Sequence, residues 1–282
     1  MPFSSIIESL LPTIFIIAVG YSLAHWMGLT INPISTLLRY VFLPVYLFMT
    51  LKARMSFEMF FLVALIGGAV VGVGFLIHKN AHRILKAEVD ASVAIPNVAC
   101  FAIPLFALSW GGRGLGTACA LFVGVSIAAF FLQKKDFVKL FREPWIYAVA
   151  AGLIFNETNA SVDLLDVILS PLMGATYPLL LLFLGASLHP LEGFTDINAW
   201  VTGVLRVAVG FLIALLGVSL LSVTPAVAAG AVMASMSPPA TKALSLAVSI
   251  KDSHSSRGPA NVGFFVSLIV FILFLVTGWN PW

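Results

Sequence analysis

Residues able to do chemistry in an apolar setting gather at two places in this chain. The first is Ser92 to Phe106, SVAIPNVACFAIPLF, where Asn97 stands among Pro96 and Pro104. The second is Ser235 to Ser245, SMSPPATKALS, where Ser235, Ser237, Thr241 and Lys242 flank Pro238 and Pro239. Proline removes a backbone donor and clashes with the carbonyl four residues back, so each apolar run should break there. Backbone groups freed inside a bilayer are tolerated only where protein or a watery cavity satisfies them, which makes such a break a pointer to a binding site.

Each candidate has a functional and a purely structural role open to it. Asn97 offers one acceptor and two amide donors; it can meet a substrate, cap the broken helix, or do both. A cation such as Lys242 within an apolar span costs about 2.5–3.5 kcal/mol and usually faces a cavity. It could pair with a carboxylate, or lose its proton when the site is empty. It could equally snorkel, since Ile250 lies eight residues on, about 12 Å of helix. Ser235, Ser237 and Thr241 could bind substrate oxygens or, with backbone carbonyls, an ion; hydroxyls in membranes also bond back to their own helix. Arg206, near the start of its apolar run, reads as a snorkelling side chain, and Phe101 and Phe106 as packing or lipid contacts.

The remaining chemistry-bearing residues lie elsewhere. The carboxylates fall in loops or near span ends, which leaves no deep Asp or Glu to carry a proton, and His25, His78, His82, His189 and His254 are interfacial. Cys100 and Cys119 lie in apolar segments without a second ligand pair, so neither a disulfide framework nor a metal site is expected. H-E-x-x-H, G-x-S-x-G and embedded acid pairs are missing, which argues against an intramembrane enzyme. No cofactor is expected.

The elements that must position these residues are membrane helices. The chain is 60% hydrophobic and 10% charged with mean hydropathy +1.06, against roughly 45–50% apolar and about 25% charged in soluble domains. A pI near 9.0 and net charge of +3 come from short loops rather than a basic patch with interleaved aromatics, so nucleic acid is not an expected partner. The lipid bilayer is. Ten apolar runs of spanning length are expected at 8–27, 34–51, 57–78, 89–109, 114–133, 144–156, 164–188, 198–222, 226–250 and 260–279. The fold class is therefore an all-α polytopic membrane protein, one transport domain over 1–282, and the N-terminal run reads as the first span rather than a signal peptide. Counting Lys and Arg in alternate loops gives nine inside and three outside when both termini lie outside the cell membrane.

Ten spans divide into five and five, and an odd-numbered repeat must invert. VFLPVYLFMTL from Val41 resembles TYPLLLLFLGAS from Thr176, aligning Pro44 with Pro178, and Pro96-Asn97 then aligns with Pro238-Pro239. Repeat one covers about 1–140 and repeat two about 141–282. Inverted repeats with interrupted helices at equivalent places point to a midplane substrate site.

With Asn97 followed seven residues later by Pro104-Leu105, Pro-Pro-Ala at 238–240, and a basic central loop, the chain resembles the auxin efflux carrier family of bacterial permeases along essentially its whole length. The resemblance implies that the fourth and ninth helices unwind and cross at Pro96, Pro104, Pro238 and Pro239. It also implies that a transport body moves against a scaffold of spans one, two, six and seven, and that the substrates are small organic anions such as malate, malonate or auxin-like acids. Both motifs depart from the family pattern: Ala99, Cys100 and Ala102 stand where glycines are usual, and Lys242 stands near a usual asparagine. The expected function is alternating-access, elevator-type transport of carboxylates, with a homodimer as a possible assembly. The alternatives are a passive anion channel or a membrane sensor on the same fold.

Overall fold

The structure, a computed structural model, describes residues 3–85, 88–109, 114–132, 137–160, 163–240 and 257–277. These residues are helical apart from turns, short connections and one isolated β-bridge. The α-helices are α1 (Phe3–Met27), α2 (Ile31–Leu37), α3 (Leu43–Arg54), α4 (Phe57–Leu85), α5 (Ile103–Ser109), α6 (Leu115–Leu132), α7 (Phe137–Leu140), α8 (Pro144–Glu157), α9 (Asp163–Ser187), α10 (Ile197–Leu220), α11 (Pro225–Ser235) and α12 (Arg257–Thr277). Among the described residues, seven stretches are long and apolar enough to cross a membrane: Leu10–Met27, Ile31–Arg54, Phe57–Ala81, Leu115–Leu132, Asp163–Ser187, Ile197–Leu220 and Arg257–Thr277. The chain is a multi-pass helical membrane protein.

The other three expected spans fall on shorter pieces. The sixth is α8, 14 residues long. The fourth is a 3₁₀ turn (Ala91–Ala94), an extended step at 95–97, then a π-helical turn (Val98–Ala102) that runs into α5. The ninth begins as α11 but is helical only to Ser235, continues non-helically to Ala240, and beyond that lies outside the described residues.

Local chemistry explains these ends. Pro is at the first turn of α8 and α11, where its missing donor costs nothing. Gly28, at φ +61°, closes α1 in the left-handed region that glycine adopts freely. Two π-helical turns, Leu38–Phe42 and Val98–Ala102, each end two residues before a proline, Pro44 and Pro104. A proline inside a helix leaves the carbonyl four residues back without its donor, and a widened turn absorbs the mismatch. Pro104 thus continues a helix instead of breaking it.

Helices pair closely as α1 with α9, α3 with α8, α4 with α6, and α10 with α12, while α4 also meets α10, and α11 packs on α10 and α6. Glycines allow the tightest approaches. A Cβ on Gly20 would strike the Leu182 backbone, one on Gly185 the Ile17 backbone, and one on Gly124 the Ala64 carbonyl. Small residues at such crossings are how membrane helices approach without a hydrophobic driving force. Two ion pairs tie the Ile31–Arg54 stretch to the start of α8 and to α9: Arg39 Nε to Glu143 at 2.9 Å, with Arg39 Nη2 on the other carboxylate oxygen, and Lys52 Nζ to both oxygens of Asp166 at 2.8 Å.

Candidate functional site

The two breaks expected from the prolines meet. Pro96 and Pro239 form an antiparallel bridge, in which Asn97 N donates to the Pro238 carbonyl (2.8 Å) and Ala240 N donates to the Ile95 carbonyl (2.9 Å). Two chain segments that had lost their helical hydrogen bonds therefore satisfy each other, the requirement for non-helical backbone at membrane depth. Pro96, Pro238 and Pro239 are buried at this crossing. Pro104 is not part of it, being eight residues further along within α5, because its π-helical turn already accommodates the missing donor. Gly263 of α12 lies against the Pro239 ring, where a Cβ would clash with Cδ.

Asn97 takes up the capping role and keeps its amide donor unspent. Its Oδ1 accepts from Cys100 N (3.3 Å), capping the helical run that follows, and its Nδ2 is buried without a hydrogen-bond partner among the described residues. Ser235 is fully buried, and its hydroxyl likewise has no partner among them; Ser92 Oγ is in the same condition. Ser237 Oγ donates to the Ala234 carbonyl (2.7 Å), so this hydroxyl is spent on its own chain. Thr241 and Lys242 lie outside the described residues; Lys242 follows the bridging Ala240 by two positions.

The largest correction concerns Arg206. It is 0% exposed and does not snorkel. Its guanidinium donates to three backbone carbonyls of the crossing: Nη2 to Ser235 (2.6 Å), Nη1 to Val93 (3.2 Å) and, most weakly, Nε to Ser237 (3.5 Å). The helix start and the glycine contacts show its depth. Arg206 is nine residues past Ile197, about 14 Å along the helix, nearly half of a bilayer core of about 30 Å. It also sits between Gly203 and Gly210, both of which touch backbone: Gly203 that of Gly263, and Gly210 the Ser235 carbonyl.

Support comes from neighbouring helices. Ser267 Oγ of α12 donates to the Met236 carbonyl (2.8 Å), Thr202 Oγ1 of α10 accepts from Asp90 N (3.2 Å), and Asp90 Oδ1 caps Ser92 N (2.8 Å). Phe101 and Phe106 pack on Phe264 and Phe271 of α12, with ring centroids 6.0–6.4 Å apart. Among the described residues no group of three metal-ligating side chains occurs. The crossing thus combines a buried cation, an unpaired amide donor and two unpaired hydroxyls, a set suited to hydrogen-bond an anionic oxygen. The chain matches no protein-family model and no curated protein.

Proposed function

We propose that the chain is a secondary transporter of small organic anions, carboxylates above all, that works by alternating access with its site at the crossing of two interrupted helices. The observation that carries this is the set of buried donors there. Asn97 Nδ2, Ser92 Oγ and Ser235 Oγ have no partner among the described residues, beside the buried Arg206 guanidinium. An unmet buried polar group costs about 1–3 kcal/mol, and a carboxylate accepting from them would remove that cost.

A ten-span inverted repeat is the second part of the reading, and helix packing supports it. Exchanging the first five spans for the second five turns the pair α1 with α9 into α8 with α3, and α4 with α6 into α10 with α12. Glycine contacts follow the same exchange. Gly20 meets the Leu182 carbonyl and Gly152 the Phe48 carbonyl, and Phe48 and Leu182 each lie four residues after the aligned prolines Pro44 and Pro178. Gly74 meets Val93 and Ala94, and Gly210 meets Ser235; Val93 and Ser235 each lie three residues before Pro96 and Pro238.

Movement between two bodies is supported by an asymmetry. Along α8, facing Phe60 of α4 and Val123 and Ile127 of α6, runs an apolar cavity of about 630 Å³ lined also by Trp145 and Val149. Where α1 faces α12, by contrast, Thr13, Ile17, Phe101, Leu184, Phe264 and Leu268 pack with no room for a water. The α8 side is thus open and the α1 side closed, as one end state of a rocking or sliding pair would be.

The test is thermal unfolding of purified wild type and Lys242→Ala with a panel of mono- and dicarboxylates. A carboxylate that binds the folded state raises the melting temperature with its concentration over its Kd. Stabilisation of wild type by at least one carboxylate is expected, and loss of that shift in Lys242→Ala assigns the lysine to the site. A panel without any stabilising member contradicts the anion reading.

A further inference from the structure

Arg206 draws the carbonyls of both chain breaks onto one cation. Ser235 is the last residue of α11, Ser237 lies just beyond it, and Val93 is in the final turn of the 3₁₀ segment. All three acceptors are neutral backbone carbonyls at 2.6, 3.5 and 3.2 Å. Carbonyls at helix C-termini lack helical partners and carry the negative end of the helix dipole. In interrupted membrane helices, such carbonyls are the groups that coordinate a coupling Na⁺. Here a guanidinium occupies their focus.

Space is kept for it. A Cβ on Gly210, one turn beyond Arg206, would come within 2.7 Å of Nη2 as well as striking the Ser235 carbonyl. The fold itself does not demand a charge at this depth. Gly67 and Gly74 of α4 flank Val70 at the spacing with which Gly203 and Gly210 of α10 flank Arg206, and Val70 is fully buried. One half of the molecule therefore uses a valine where the other uses an arginine.

We propose that Arg206 is a built-in cation: its guanidinium fills a carbonyl cradle at the crossing that would otherwise take a free monovalent metal ion. Built this way, the crossing is assembled without sodium. Insofar as the carrier reading above holds, substrate movement is then not coupled to a sodium gradient.

The experiment compares the melting temperature of full-length wild type and Arg206→Ala in choline chloride, in sodium chloride of equal ionic strength, and in choline chloride with millimolar methylguanidinium. Wild type should melt alike in all three. Arg206→Ala should melt lower in choline and recover, saturably, with methylguanidinium or Na⁺. A saturable Na⁺ stabilisation of wild type overturns the proposal, as does a folded Arg206→Ala that neither cation stabilises. Should Arg206→Ala not fold, wild type still decides the first point, and a second pair decides the rest: Arg206→Lys should melt well above Arg206→Met, and equal melting overturns the proposal. Failure of every carboxylate to bind would defeat the carrier reading while leaving these results intact.

Discussion

Asn97 is a structural cap at one end of its amide and, in the function proposed, a ligand donor at the other. Oδ1 caps Cys100 N and Nδ2 is unpaired among the described residues, so substitutions can separate them. Asn97→Ala removes both and should lower stability by about 1 kcal/mol, the usual worth of a cap. Asn97→Asp keeps the acceptor and replaces the donor with negative charge. It should remain folded and lose carboxylate-dependent stabilisation in a melting assay, whereas an unchanged shift would make Asn97 a cap alone. This residue was legible in the sequence, since an amide beside a proline in an apolar run has few inexpensive explanations. Arg206 was not, because a charge near the start of a span is ordinarily an interfacial one. Only the position of Ile197 and the backbone contacts of Gly203 and Gly210 show how far inside it lies.

At the scale of elements, helix crossings depend on where backbone can touch backbone. Gly124 of α6 faces the Ala64 carbonyl of α4, whereas a Cβ on Gly72 of α4 would meet nothing within 4 Å among the described residues. Gly124→Val should therefore force the pair apart and cost about 1–3 kcal/mol, as overpacking does. Gly72→Ala should stay within about 0.5 kcal/mol of wild type. Thermal or denaturant unfolding in detergent checks both, and equal effects would contradict the packing described. The same spacing separates what the sequence could foretell from what it could not. Span positions and the break at 95–97 follow from apolar length and proline chemistry, which are local. That the break should bond to residues 238–240 is long-range, and neither segment's own pattern specifies its partner's register.

Across the whole molecule, α8 borders an apolar cavity toward α4 and α6, whereas α1 is tightly packed toward α12. The group α1, α3, α8 and α9 is braced by the Arg39–Glu143 and Lys52–Asp166 pairs, of which Glu143 is the most buried member, its side chain 8% exposed. Glu143→Gln leaves Arg39 half-buried without its countercharge and should cost about 2 kcal/mol, measurable as a lower melting temperature. It should leave carboxylate binding at the crossing unchanged; loss of binding would mean that the brace and the site are one unit. The most direct measurement is counterflow in proteoliposomes. Vesicles preloaded with a carboxylate that stabilises the protein should accumulate the labelled acid transiently and saturably with wild type, and fail to do so with Asn97→Asp. Labelled acid that never exceeds equilibrium, or flux that rises without saturation, would contradict a carrier whose site lies at the crossing of Pro96 and Pro239.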